Sequence, residues 1–163
     1  MTKYLRAILL ALAVIITLLL VGAIAYGQRT RSAVANPSVT PQPLFSEYKG
    51  IRLGMSAQEV RAKLGDPTVK GDDQDYYVIS QTETAQFAYD KTLKVVTISI
   101  DYSGAGAPDY HNVVGALIDE KEDGSLYKLV RYEAQRFWVS YHRTSGTPPT
   151  VTITIQKMLK GAI

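Results

Sequence analysis

Two segments of this chain read almost alike. Val96-Thr97-Ile98-Ser99-Ile100 and Val151-Thr152-Ile153-Thr154-Ile155 lie 55 residues apart. Each alternates a branched apolar side chain with a hydroxyl. Successive side chains of a strand point to opposite faces, so this pattern buries one face and wets the other. The same pattern wound at 3.6 residues per turn would scatter the isoleucines around a helix. Branched side chains also pack well on a pleated surface and are stiff in a helix. The chain is therefore expected to build an antiparallel sheet with one buried face, with Val96, Ile98 and Ile100 inward and Thr97, Ser99 and Asp101 outward.

The surrounding sequence extends the repeat. Ser56 and Glu59 have capping-box spacing, with Met55 and Val60 placed as a hydrophobic staple. Val60 and Leu64 share a face, and Gly65 and Pro67 end the run, which predicts a helix over 57–64. Strands are expected at 76–80, 85–89 and 94–102. In the second half, Asp109 is placed as an N-cap before Val113, Val114, Leu117 and Ile118. Strands are then expected at 126–133, 136–143 and 150–156. The helices align at an offset of 53, Val60 on Val113 and Leu64 on Leu117. The expected fold class is α+β: an N-terminal transmembrane helix, then a helix-strand-strand-strand module duplicated into a six-stranded antiparallel sheet with two short helices on one face. The subrepeats span about 48–102 and 109–158. Chance likeness between Val/Ile/Thr-rich strands is the plain alternative to duplication.

The run Tyr48-Lys49-Gly50-Ile51-Arg52-Leu53-Gly54-Met55-Ser56-Ala57-Gln58-Glu59-Val60, closed by Leu64-Gly65-Asp66-Pro67, resembles the small α+β modules of the SmpA/OmlA (BamE-like) group. The tandem arrangement resembles the β-lactamase inhibitor protein fold. The resemblance covers 48–102 by motif and 109–157 by pattern. It implies a non-catalytic module for protein binding or envelope assembly. The chain departs from the lipoprotein members in having no cysteine to acylate.

The N-terminus sets the expected location. Ala7 to Ala25 carries no charge and a single hydroxyl, Thr17. Such a run approaches the length needed to cross the roughly 30 Å hydrocarbon core. Lys3 and Arg6 precede it, and Arg29 and Arg31 follow, so the positive-inside rule places residues 1–6 in the cytoplasm by a narrow margin. Membrane lipid is thus an expected partner through residues 7–26. A cleaved signal peptide is the rival reading, with Ala23-Ile24-Ala25 and Ala33-Val34-Ala35 as candidate cleavage sites. Either way the remainder, 44–163, is expected outside the cytoplasm behind a Pro-rich linker at 27–43.

Composition removes several chemistries. With no cysteine there is no disulfide, Cys-ligated zinc or thiol catalysis. The net charge of +3 is a flanking effect: from Leu44 onward there are 14 basic and 15 acidic side chains, a net −1. Nucleic-acid domains concentrate a basic face, so nucleic acid is not an expected partner. His111, near Asp109 and Asp101, has the residue types for a metal or acid/base site; the plainer reading is an exposed residue beside a helix cap. His142 shares a strand with Trp138 and Ser140 and has no nearby partner in sequence. Asp72-Asp73-Gln74-Asp75 lacks the ligand spacing of a calcium loop and reads as a solvated loop. No catalytic, metal or cofactor residues are assigned.

On 136–143, Phe137, Val139 and Tyr141 are expected to be buried. Arg136, Trp138, Ser140 and His142 then fall on the opposite face. Trp, Tyr and Arg anchor protein interfaces. The candidate binding face is therefore Arg136 and Trp138 with Tyr102 or Tyr127, and the expected partner is a protein of the cell envelope. Two other functions stay open at this point. One is an envelope enzyme using His111 or His142 with distant acids. The other is a membrane scaffold or sensor subunit.

Overall fold

In the computed structural model of the chain, residues 42–115 and 117–158 are described. The elements run α1 (Ala57–Leu64), β1 (Val69–Lys70), β2 (Gln74–Val78), β3 (Glu83–Tyr89), β4 (Val95–Ser103), α2 (His111–Val114), β5 (Asp119–Glu120), β6 (Leu126–Tyr132), β7 (Phe137–Arg143) and β8 (Thr150–Lys157). The strands form one sheet in the order β1-β2-β3-β4-β8-β7-β6-β5, antiparallel at every pairing.

The expected six-stranded sheet behind a transmembrane helix is thus corrected to an eight-stranded sheet with two short helices. The additional strands, β1 and β5, have two residues each and sit at the two edges. Two residues are too few to show a period of two. Very short edge strands bearing charge (Lys70, Asp119 and Glu120) also resist pairing with another chain. The expected transmembrane segment at 7–26 lies outside the described residues. Among those described, no helix is long and apolar enough to cross a membrane.

Each half lays down a helix and then four strands from an edge toward the centre. The halves meet where β4 pairs with β8, in the register Ile98 with Ile155, Ser99 with Thr154 and Ile100 with Ile153. In an antiparallel pair, residues a fixed distance apart in sequence face each other at one position only. Here that position is Ser99 opposite Thr154, so the local two-fold runs through this pair, whose hydroxyls lie 3.5 Å apart.

Two details differ from the sequence reading. Val95, not Val96, is the buried valine at the start of β4. Tyr89 pairs with Val95 while Ala88 pairs with Thr97, so Val96 is an extra residue in a β-bulge. The helices also align differently. Gly65 and Gly115 end them with φ/ψ of 83°/−166° and 81°/−167°. Matching these caps gives an offset of 50, which sets Leu64 against Val114 and Arg61 against His111. The cap geometry outranks the apolar spacing on which the offset of 53 was based. The N-cap of α2 is Tyr110, and Asp109 Oδ1 accepts the His111 N–H at 2.8 Å.

One face of the sheet carries the core. Phe87, Ile98, Ile100, Val139, Ile153 and Ile155 are fully buried there, each stabilising by roughly 1.5–3 kcal/mol. α1 starts with the expected capping box: Ser56 Oγ accepts the Glu59 N–H at 3.2 Å, and Glu59 Oε2 accepts the Ser56 N–H at 2.7 Å. The Ser56 N–H and then the Ser56 hydroxyl, both donated to Glu59 Oε2, hold that carboxyl below the usual glutamate range. An arm before α1 covers the same face. Tyr48 donates to Glu83 at 2.8 Å, Ile51 is fully buried, and the Gly54 N–H reaches the Val95 carbonyl at 2.8 Å.

Asp75 is the largest local departure. It was expected in a solvated loop; it is a β2 residue and fully buried. Arg61 Nε and Nη2 donate to its two oxygens at 2.8 and 2.9 Å, and the Tyr89 hydroxyl donates at 2.8 Å. The carboxylate raises the Arg61 pKa through these bonds. Burial, then the bond to Asp75, raises that of Tyr89. A bidentate guanidinium with a third donor is the arrangement that makes a buried carboxylate tolerable, and it ties α1 to the sheet.

Candidate functional site

The face opposite the helices has a regular layout set by strand register. One row runs Tyr76, Gln86, Ser99, Thr154, Ser140, Leu129. A second runs Val78, Thr84, Asp101, Thr152, His142, Tyr127. A third runs Gln74, Ala88, Thr97, Gln156, Trp138, Arg131. Among the described residues, no helix or arm covers this face.

Its chemistry is unusual for a surface that only meets water. Across these three rows of six positions, Asp101 and Arg131 alone carry a fixed charge. The centre is a field of hydroxyls and amides, several bonded to one another. Thr152 Oγ1 donates to Asp101 Oδ1 at 2.6 Å, and Gln86 donates to Gln74. Each end is apolar. At the β6–β7 end stand Trp138, Tyr127, Leu129 and His142, with the Tyr127 and His142 rings 6.4 Å apart. At the β2 end stand Tyr76 and Val78, and Val69 of β1 pairs with Tyr76. Val78 and Val69 are 54% and 60% exposed, which is high for valine in a sheet. Few charges with aromatic anchors is the composition of a protein-interface core.

The four candidate residues separate. Trp138 and Tyr127 lie together on the open face, Trp138 half-buried and Tyr127 exposed. Tyr102 lies on the core face, packed against the buried cluster. Burial and the neighbouring Glu83 push its hydroxyl up to about 12. Arg136 is not a strand residue. It sits in the β6–β7 turn at φ 61°. There its N–H donates to the Glu133 carbonyl at 3.2 Å and its carbonyl accepts from Met158 at 2.9 Å.

Arg131, directly opposite Trp138, takes the place expected of Arg136. The sequence signal for it was weak. Tyr127-Lys128-Leu129-Val130-Arg131 puts an apolar and a basic side chain on each face, so the alternation there is ambiguous.

The histidines are not brought together with acids in a catalytic or metal set. His111 Nδ1 lies 2.6 Å from Asp109 Oδ1, on an exposed pair, and its ring stacks on Tyr110 at 4.0 Å. The bonds from His111 hold Asp109 below the usual aspartate range. Asp101 is on the opposite side of the sheet, among the open-face rows. Among the described residues, no cluster of three His, Cys, Asp or Glu side chains is placed to hold a metal ion.

No protein-family model, curated protein or solved structure matches the chain. The likeness to SmpA/OmlA modules therefore rests on the helix-capping residues quoted above, and function has to be argued from the surface itself.

Proposed function

We propose that this chain is a non-catalytic binding module, held at a membrane by its apolar N-terminal run, whose open sheet face docks a protein of the cell envelope. The observation that carries the reading is the composition of that face. It is a broad, nearly uncharged surface with Trp138, Tyr127, Leu129 and Arg131 gathered at one end. Trp138 is the expected anchor. It has the largest side chain on the face, it is held between Arg131 and Gln156 on the neighbouring strands, and it is only half-buried. The uncharged run at 7–25 and its basic flanks support a membrane location with the domain outside the cytoplasm.

The test is photocrosslinking in cells from position 142, with a matched probe at the exposed Lys91. The expected result is a discrete adduct from 142 alone, lost when Trp138→Ala is introduced. Equal labelling from both positions, or an adduct indifferent to Trp138→Ala, would overturn the assignment of the face.

A further inference from the structure

A second surface, on the helix side of the sheet, carries a different chemistry. The arm before α1, the β6–β7 turn and the end of β8 enclose a cleft of about 400 Å³. Leu53 and Phe137 are its apolar lining residues. Arg52, Arg136 and Lys157 bring three cations to it, and Gln135 adds an amide.

We propose that this cleft binds a small amphipathic oxyanion, with an apolar body against Leu53 and Phe137 and a phosphate or carboxylate held by Arg52, Arg136 and Lys157. Three arguments carry it. The first is charge. Arg52 is paired with Glu47, which accepts from its Nε at 2.6 Å. The Nη groups of Arg52 make no recorded bond among the described residues, and Arg136 and Lys157 have no salt-bridge partner there. Asp90, which feels the Lys157 charge, is held below the usual aspartate range by bonds from Thr92 and the Lys94 N–H, with Lys157 contributing least. Cations gathered around one cleft with a single paired carboxylate repel one another, and an anion relieves that repulsion.

The second argument is preorganisation. Arg136 holds a left-handed backbone conformation that non-glycine residues adopt at a cost, and both its backbone groups are bonded. The turn thereby fixes where the guanidinium starts, and a guanidinium suits phosphate and carboxylate oxygens. The third is size. The volume is at the lower end of small-molecule sites, roughly 300–1,000 Å³, and generous for a bare inorganic ion. This site lies apart from Trp138 and its face, so it stands whether or not that face docks a protein.

The test titrates phenyl phosphate into the full chain in a neutral detergent, followed by calorimetry. Saturable binding is expected, weakened about tenfold by Arg136→Gln with Lys157→Gln and unchanged by Trp138→Ala. Glu47→Gln is expected to tighten it, because Arg52 is released; a misfolded variant could not mimic that gain. Competition by dihexanoyl phosphatidylglycerol, with dihexanoyl phosphatidylcholine as the neutral control, would identify a lipid headgroup as the source of the anion. Absence of competition would identify a free one. No saturable binding at millimolar concentration, or equal affinity in the double variant, would overturn the proposal.

Discussion

Asp75→Ala removes a buried carboxylate whose two oxygens are both hydrogen-bonded. Three donor bonds converge on Asp75, two from Arg61 and one from the Tyr89 hydroxyl. The carboxylate is fully buried, while the Arg61 side chain is 26% exposed. Removing one member of a buried ion pair costs about 3–5 kcal/mol, because the other is left uncompensated. Arg61 can turn partly toward water, which places the cost near the lower end, about 3 kcal/mol. The orphaned Tyr89 hydroxyl is included in that figure.

The unfolding free energy of a domain this size is about 5–15 kcal/mol, so the loss is a large share of it. With a denaturant slope of about 1–3 kcal/mol/M, the urea midpoint should fall by about 1–3 M at unchanged slope. Trp138, the sole tryptophan, reports the transition by fluorescence, and far-ultraviolet dichroism should give the same midpoint. A double-mutant cycle sharpens the test. Asp75→Leu combined with Arg61→Met should be more stable than Asp75→Leu alone, since no unpaired cation remains. A cost below about 1 kcal/mol for Asp75→Ala, or strict additivity in the cycle, would refute the claim that this cluster fastens α1 to the sheet.

Trp138→Ala should cost about 1 kcal/mol or less, the scale of a cross-strand pair, while removing the crosslink described above; equilibrium unfolding separates the two effects. Ser56→Ala should cost about 1 kcal/mol through the lost cap, measured by urea unfolding. That difference should shrink as pH falls through the lowered range of Glu59, because a depressed carboxyl contributes above its unfolded pKa and stops contributing below its folded one. Alkaline pH should also unfold the domain. Tyr48, Tyr89 and Tyr102 are all raised above the ordinary tyrosine value, chiefly by burial, the last to about 12. Above about pH 10 the unfolded chain loses phenolic protons that the folded one keeps, so stability drops by about 1.4 kcal/mol per pH unit for each such tyrosine. The share of the phenolate absorbance contributed by these three tyrosines should therefore appear together with unfolding, and Tyr→Phe substitution at each should remove its part of that step.

What the sequence revealed and what it hid divide along a physical line. Features encoded by neighbours in the chain were legible. The capping box, the C-terminal glycine of α1 and the alternating faces of β7 and β8 each depend on residues a few positions apart. Features that depend on which strand lies beside which were not. Arg131 becomes the partner of Trp138 only through the β6–β7 register. Tyr102, by contrast, follows Ile98 and Ile100 in simple alternation onto the core face, so grouping it with Trp138 overlooked a signal the sequence carried. Arg136 looked like the first residue of a strand because nothing local marks a left-handed turn residue that is not glycine or asparagine.

The halves also repeat shape more faithfully than chemistry. Opposite Phe87 stands the buried Asp75, whereas opposite its counterpart Tyr141 stands Lys128. Tyr89, two residues beyond Phe87, answers to Arg143, two beyond Tyr141. The acid that receives Arg61 in the first half, and the phenol that donates to that acid, are thus replaced by two cations in the second, where Arg143 Nε is buried with no hydrogen-bond partner among the described residues. A periodic apolar pattern survives such exchanges because burial depends on area and not on identity. An ion pair does not, because it needs two particular side chains at one place. The repeat therefore marked the two strands that the structure pairs at Ser99 and Thr154, and gave no warning that Asp75 would lie at the base of one half.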